Sequence, residues 1–114
     1  MHRAKRLVLA HLWVAFALFA FAAALGAWQM LVRSPLGAPF ETPSVYYASV
    51  TLHGTAMAYV LTTFFAMGFG YIVAVTALDR DLPSLGAAWA GFWIAAVGTV
   101  TAVVPILLGK ASVL

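Results

Sequence analysis

The chain has 114 residues, of which 65% are hydrophobic and 8% are charged. Soluble domains carry about 25% charged residues, so this composition excludes an ordinary water-soluble protein. Cysteine is absent, which excludes a disulfide framework and a thiolate metal site. The net charge is +3, and three of the six basic residues stand within the first six positions, a distribution that indicates membrane topology rather than nucleic-acid binding.

The first predicted element is a membrane-spanning helix over about 7–31. Its uncharged run is interrupted only by the polar residues His11 and Gln29 and exceeds the roughly 20 residues that a helix needs to cross a bilayer. A cleaved signal peptide is the alternative, because small residues near Gly26 follow a basic start. The hydrophobic region of a signal peptide is only about 7–15 residues long, which favours the helix.

The second predicted helix covers about 43–77. Two prolines and a glycine at 34–39 end the first helix. Thr42-Pro43 then predicts an N-cap followed by proline at the first helical position, where its missing N–H does no harm. The uncharged span is longer than a bilayer requires, so we expect this helix either to tilt or to project beyond the membrane.

A third helix is expected over about 84–109, after a turn at 79–83 that permits only an antiparallel return. Four of the six basic residues lie in the N-terminal tail and in this turn, which places both in the cytoplasm. Small residues form one face of the helix and indicate close packing; they are Gly91, Ala95, Gly98 and Ala102. The predicted fold class is an all-α integral membrane protein with three transmembrane helices.

His53 is the residue that demands a functional explanation, because it is ionisable and lies within the second helix. Imidazole is the commonest metal ligand in proteins and a frequent axial ligand of heme iron. Gly54 would let a large planar ligand lie close to the backbone, and Tyr46 and Met57 share the His53 face of the helix. The alternative is a structural histidine that forms a hydrogen bond with a carbonyl or hydroxyl of a neighbouring helix, and the helical pattern alone leaves both interpretations open.

His11 offers no second ligand for the same ion. It is expected near the inner end of the first helix, whereas His53 would lie in the outer half of the bilayer. Their levels should differ by roughly 10–20 Å. A second ligand must therefore come from another segment or from another copy of the chain.

The stretch from Tyr46 to Met57, YYASVTLHGTAM, resembles the second transmembrane helix of the heme-copper oxidase subunit I family. In that family a Thr-x-His-Gly element supplies an axial histidine to the low-spin heme. The paired tyrosines and the Thr-Leu-His-Gly core are closest to the B-type, or ba-type, cytochrome c oxidases, and the third helix is also similar where it ends at Val104–Leu108. The turn at 78–84 lacks the acidic, asparagine-rich pattern of A-type oxidases. Nitric oxide reductases usually have threonine and asparagine after this histidine, where Gly54 stands here.

The resemblance implies that residues 1–114 are the N-terminal three-helix portion of the catalytic subunit of a respiratory terminal oxidase, within a larger helical bundle. Such an enzyme lies in the inner (plasma) membrane of a prokaryote, reduces O₂ to water and pumps protons. His53 would be an axial ligand of the low-spin heme, heme b by the B-type likeness, with Gly54, Tyr46 and Met57 beside it.

The remaining parts of the implied enzyme have no counterpart in the sequence. The second axial histidine, the high-spin heme and the copper would be held by later helices, so the chain is expected to be a fragment that lacks the active site. The implied partners are other oxidase subunits, especially the copper-bearing subunit II, an electron donor that is cytochrome c or a quinol, and the lipid bilayer, but no nucleic acid. The alternatives are a small dimeric membrane cytochrome b that uses His53 from both copies and a heme-free three-helix accessory subunit.

Overall fold

Three long helices make up the part of the chain that the computed structural model describes, residues 2–37 and 42–110. They are α1 (His2–Val32), α2 (Pro43–Leu78) and α3 (Leu85–Leu107). Each is long and apolar enough to cross a membrane, with mean hydropathies of 2.2, 1.8 and 1.9 in chain order. The predicted all-α architecture of three membrane-spanning helices is therefore confirmed; the connection at 38–41 lies outside the described residues.

The predicted helix ends were correct to within five residues, and the two largest differences have a local cause. α1 begins at His2 instead of residue 7, because the basic residues of the tail interrupt the apolar run but are good helix formers. Ser84 is the N-cap of α3, with its hydroxyl accepting a hydrogen bond from the Ala87 N–H at 3.2 Å. α3 ends at Leu107 instead of 109, because Gly109 adopts a φ of 69° and turns the chain out of the helix.

α2 starts as predicted, with Thr42 at the N-cap position and Pro43 at the first helical position. Thr42 has the extended backbone of an N-cap, but its side chain makes no capping hydrogen bond. The helix ends at Asp79, which has a left-handed conformation with φ 47° and ψ 43°. A non-glycine residue in that conformation stops the helix and reverses the chain toward α3.

The middle of α2 contains a π-helical segment, Ala56–Leu61, between the α-helical stretches Pro43–Thr55 and Thr62–Leu78. The buried residues of this region recur every four positions; they are Leu52, Ala56, Val60, Phe64 and Gly68. In a regular α-helix each step of four residues overshoots a full turn by about 40°, so the stripe would rotate away from its partner. The wider turns of a π-helix take up part of this rotation and keep the stripe directed at α1.

The core lies where α1 and α2 pack along each other, and α3 contacts both of these helices, including the Pro43–Thr55 stretch of α2. It consists of apolar side chains from all three helices, namely Leu7, Ala15, Val60, Phe64, Ala88 and Phe92. The outward face of α3 is apolar and exposed, as in Trp93 and Ile94. A Cβ added at Gly91 or Gly98 would meet no atom of the described chain within 4 Å, so the small-residue face of α3 is not packed against α1 or α2 at these points.

Candidate functional site

His53 lies half-buried on α2, with its imidazole directed at α1. Its Nδ1 is 2.7 Å from the backbone carbonyl oxygen of Ala22. Because a carbonyl can only accept, Nδ1 must carry the proton, and the neutral ring then has an unprotonated lone pair on Nε2. The alternative hypothesis from the sequence was a histidine that forms a hydrogen bond with a neighbouring helix. This hydrogen bond is present, but it uses only one of the two ring nitrogens.

The part of α1 that faces this ring is formed by Ala22 and Gly26. Ala22 is fully buried. A Cβ built on Gly26 would lie 3.1 Å from Cε1 of His53, 3.6 Å from Nδ1 and 3.8 Å from Nε2. Sequence reasoning missed both residues. The available signal was a pair of small residues four positions apart on one face of α1, but their contact with His53 depends on how the helices pack.

The other predicted site residues are near His53 in sequence and differ in their exposure and contacts. Gly54 is exposed, and a Cβ at this position would meet no atom of the described residues within 4 Å. Tyr46 is half-buried, with its ring edge-on to Tyr47 at a centroid distance of 5.6 Å. Met57 is half-buried in the π-helical segment. Open space therefore lies beside Gly54, on the helix that carries the candidate ligand.

The His11 side chain is buried in the protein core and packs against aromatic rings. It is 2% exposed, its Nδ1 is 2.9 Å from the Leu7 carbonyl oxygen of the same helix, and its ring packs against three aromatic rings. The centroid distances are 4.9 Å to Phe92, 5.5 Å to Tyr71 and 5.8 Å to Phe64. His53 contacts α1 eleven residues beyond His11 at Ala22, a separation of about 16 Å along the helix. The prediction that these two histidines cannot share one ion is thereby supported.

Among the described residues, the candidate site offers one imidazole as a possible ligand. Within residues 2–37 and 42–110, no group of three or more histidine, cysteine, aspartate or glutamate residues could hold a metal ion. Gln29 follows Gly26 by three residues on α1, and its Nε2 is buried without a hydrogen-bond partner in the described chain. Gln29 therefore offers a buried amide donor on α1, the helix that also accepts the His53 hydrogen bond.

The family described as Cytochrome C and Quinol oxidase polypeptide I matches residues 6–114, which is nearly the whole chain. The chain belongs to this family. The resemblance to heme-copper oxidase subunit I that the sequence carries around His53 is therefore confirmed, and so is the membrane-embedded helical fold.

A relative within the oxidase family is the cytochrome c oxidase subunit 1 of Thermus thermophilus, which is 36% identical over 69 residues. The alignment covers 60% of this chain but only 12% of the relative. The chain therefore spans a small part of the curated oxidase subunit that it matches. No solved structure gave a significant match.

Proposed function

We propose that this chain is the N-terminal part of the catalytic subunit of a respiratory terminal oxidase, and that His53 is an axial ligand of its low-spin heme. The observation that carries the assignment is the hydrogen bond between His53 Nδ1 and the Ala22 carbonyl. A histidine ligand to a metal commonly donates its other ring N–H to a carbonyl or carboxylate, which fixes its tautomer. His53 likewise donates Nδ1–H to a carbonyl, and among the described residues no hydrogen-bond partner is found for its Nε2.

The chain's own contribution is to present and tune one imidazole. The Ala22 carbonyl selects the tautomer with a lone pair on Nε2 and makes the ring a stronger electron donor. α1 covers one side of the ring, and burial of this kind affects the reduction potential of a bound heme. A heme held there by His53 would supply one-electron transfer. Gly54, Tyr46 and Met57 are proposed to line the macrocycle, and the B-type likeness favours heme b.

The rest of the proposed enzyme follows from the family. The second axial histidine, the high-spin heme and the copper would be held by segments that this chain does not contain. We propose that the complete enzyme assembles with a copper-bearing subunit II, takes electrons from cytochrome c or a quinol, reduces O₂ to water and pumps protons across the plasma membrane of a prokaryote. The excess of basic residues in the tail and the second turn supports a cytoplasmic N-terminus.

The test is a set of substitutions in the full-length subunit that contains this segment. His53→Gln retains an N–H donor for the Ala22 carbonyl, so the packing of α1 on α2 should persist, but it removes the imidazole. We expect the low-spin heme signals in the optical and electron paramagnetic resonance spectra to disappear. His11→Phe is the control, because it leaves His53 intact, and it should retain the low-spin heme. If the low-spin spectrum survives in His53→Gln, His53 is not the ligand.

Chemical rescue gives a second readout. His53→Gly opens a space of imidazole size, and added imidazole should restore the low-spin spectrum if an axial position of the iron faces that space. Restoration in His53→Gly, with no change in the low-spin spectrum when imidazole is added to the unsubstituted protein or to the His11 variant, would support ligation at this position. No effect of imidazole in a variant that still contains the heme would contradict it.

A further inference from the structure

We propose that Gly26 is a positioning residue for His53: because it has no side chain, it leaves the Ala22 carbonyl open to the His53 ring and thereby sets the direction of Nε2. The inference rests on the proposed function, since it concerns how α1 presents the heme ligand. It assigns a role to two residues of α1 that do not belong to the histidine-bearing motif of α2.

Helix geometry explains why the residue at position 26 controls access to the carbonyl of residue 22. In an α-helix this carbonyl accepts a hydrogen bond from the N–H of residue 26 and points toward the following turn. Each side chain tilts toward the helix N-terminus and covers the turn before its own Cα. A side chain at position 26 would therefore lie over the Ala22 carbonyl. With glycine there, the carbonyl retains a free lone pair that a donor from α2 can reach.

The distances show that the ring occupies the space that a side chain would need. A Cβ on Gly26 would be 3.1 Å from Cε1 of His53, closer than carbon atoms normally approach. Cε1 is the ring atom between the two nitrogens, so a contact there displaces both of them. The ring would have to turn or withdraw, which lengthens the 2.7 Å hydrogen bond to Ala22 and redirects Nε2.

The hydrogen bond to Ala22 determines whether Gly26→Ala raises or lowers the midpoint potential of the low-spin heme. Donation of Nδ1–H to a carbonyl raises the basicity of the imidazole, and a more basic ligand favours the ferric state. A weaker bond therefore lowers the basicity and favours the ferrous state. Gly26→Ala should raise the midpoint potential of the low-spin heme. Removal of such outer-shell partners typically costs about 10- to 100-fold in metal affinity, so heme retention should fall as well.

The experiment compares Gly26→Ala with Gly70→Ala in the full-length oxidase subunit. Gly70 lies on α2 far from His53, and a Cβ there meets no described atom within 4 Å. We expect Gly26→Ala to raise the midpoint potential of the low-spin heme in a spectroelectrochemical titration and to change the g-values of its ferric resonance. Gly70→Ala should leave both unchanged. Loss of the low-spin heme in Gly26→Ala alone would also support the proposal.

Unchanged potential and g-values in Gly26→Ala would overturn the proposal, and so would an equal change in Gly70→Ala. The positioning role of Gly26 and the proposed function can fail independently, because His53→Gln tests the heme ligand itself. If that variant loses the heme while Gly26→Ala behaves as the unsubstituted protein, only the positioning role fails. Should Gly26→Ala not accumulate, redox-induced infrared difference spectra of the unsubstituted protein with isotope-labelled histidine provide the test. Absence of a hydrogen-bonded Nδ1–H signature there would contradict the proposal.

Discussion

The contact between Gly68 of α2 and His11 of α1 leads to a quantitative prediction. A Cβ added at Gly68 would lie 2.9 Å from the Cβ of His11 and 3.4 Å from Cδ2 of Leu12. Carbon atoms pack best at about 3.5–4.0 Å, so the first distance is too short by roughly 0.6–1.1 Å. The Cβ of His11 is fixed to the helix backbone and cannot rotate away. Gly68→Ala must therefore move α1 and α2 apart at this crossing.

Two opposing effects determine how much Gly68→Ala changes the free energy of unfolding. Overpacking of this kind costs about 1–3 kcal/mol in free energy of unfolding. Replacement of a helical glycine by alanine also stabilises by about 0.4–1 kcal/mol, because the unfolded chain loses freedom. Gly70→Ala, two residues further along α2, has only the second effect, since a Cβ there meets nothing in the described chain. The two variants should thus differ by about 1–3 kcal/mol, with Gly68→Ala the less stable.

The assay is reversible unfolding of the detergent-solubilised chain by sodium dodecyl sulfate, followed by tryptophan fluorescence and far-ultraviolet circular dichroism. His11→Gly removes the contacted Cβ, so the penalty of Gly68→Ala should be smaller in that background, and a double-mutant cycle measures the difference. Equal stability of Gly68→Ala and Gly70→Ala would refute the close approach of the two helices. An unchanged penalty in the His11→Gly background would show that another contact causes it.

Three further predictions use the same assay. His11→Phe should preserve the aromatic packing but remove the hydrogen bond to the Leu7 carbonyl, at a cost of about 1 kcal/mol, and a stability equal to that of the unsubstituted chain would contradict a structural role for this bond. Ser84→Ala should cost about 0.5–2 kcal/mol, because the first turn of α3 loses the acceptor for the Ala87 N–H; Ser84→Asp, which restores an acceptor, is the control. Asp79→Gly should stabilise by about 1 kcal/mol or less, since glycine adopts the left-handed conformation without the steric cost of a Cβ, and a lower stability would show that the aspartate side chain is needed.

Most of the fold could be predicted because the bilayer imposes a length and an uncharged composition on each helix. The runs between the charged residues indicated all three helices, and Thr42-Pro43 gave the start of α2 correctly. The start of α1 was wrong by five residues, since helices extend beyond the apolar run where the flanking residues favour helix. The π-helical segment was not predicted, because a spacing of four becomes informative only when the buried positions are known.

The candidate site was predicted only in part. His53 stands out in the sequence, since an imidazole within a membrane span requires a partner. Its actual neighbours on α1, Ala22 and Gly26, have no chemical signature of their own, because a backbone carbonyl is common to every residue. Their role depends on the rotation of α1 about its axis and on its height relative to α2. Both quantities are properties of tertiary packing that the amino-acid pattern of a single helix does not contain.

The π-helical segment Ala56–Leu61 also determines where α2 tolerates a change of length. Deletion of one residue from a regular helix turns everything on one side of the cut by about 100° relative to the other. Such a deletion between Thr62 and Phe64 would therefore direct His53 and Phe64 to different sides of α2. Within the π-helical segment the lost residue is taken from the widened turn, which reverts to an ordinary α-helical one. Single-residue deletions among related sequences should consequently concentrate in this short segment, which lies between the half of α2 that carries His53 and the half that carries Phe64.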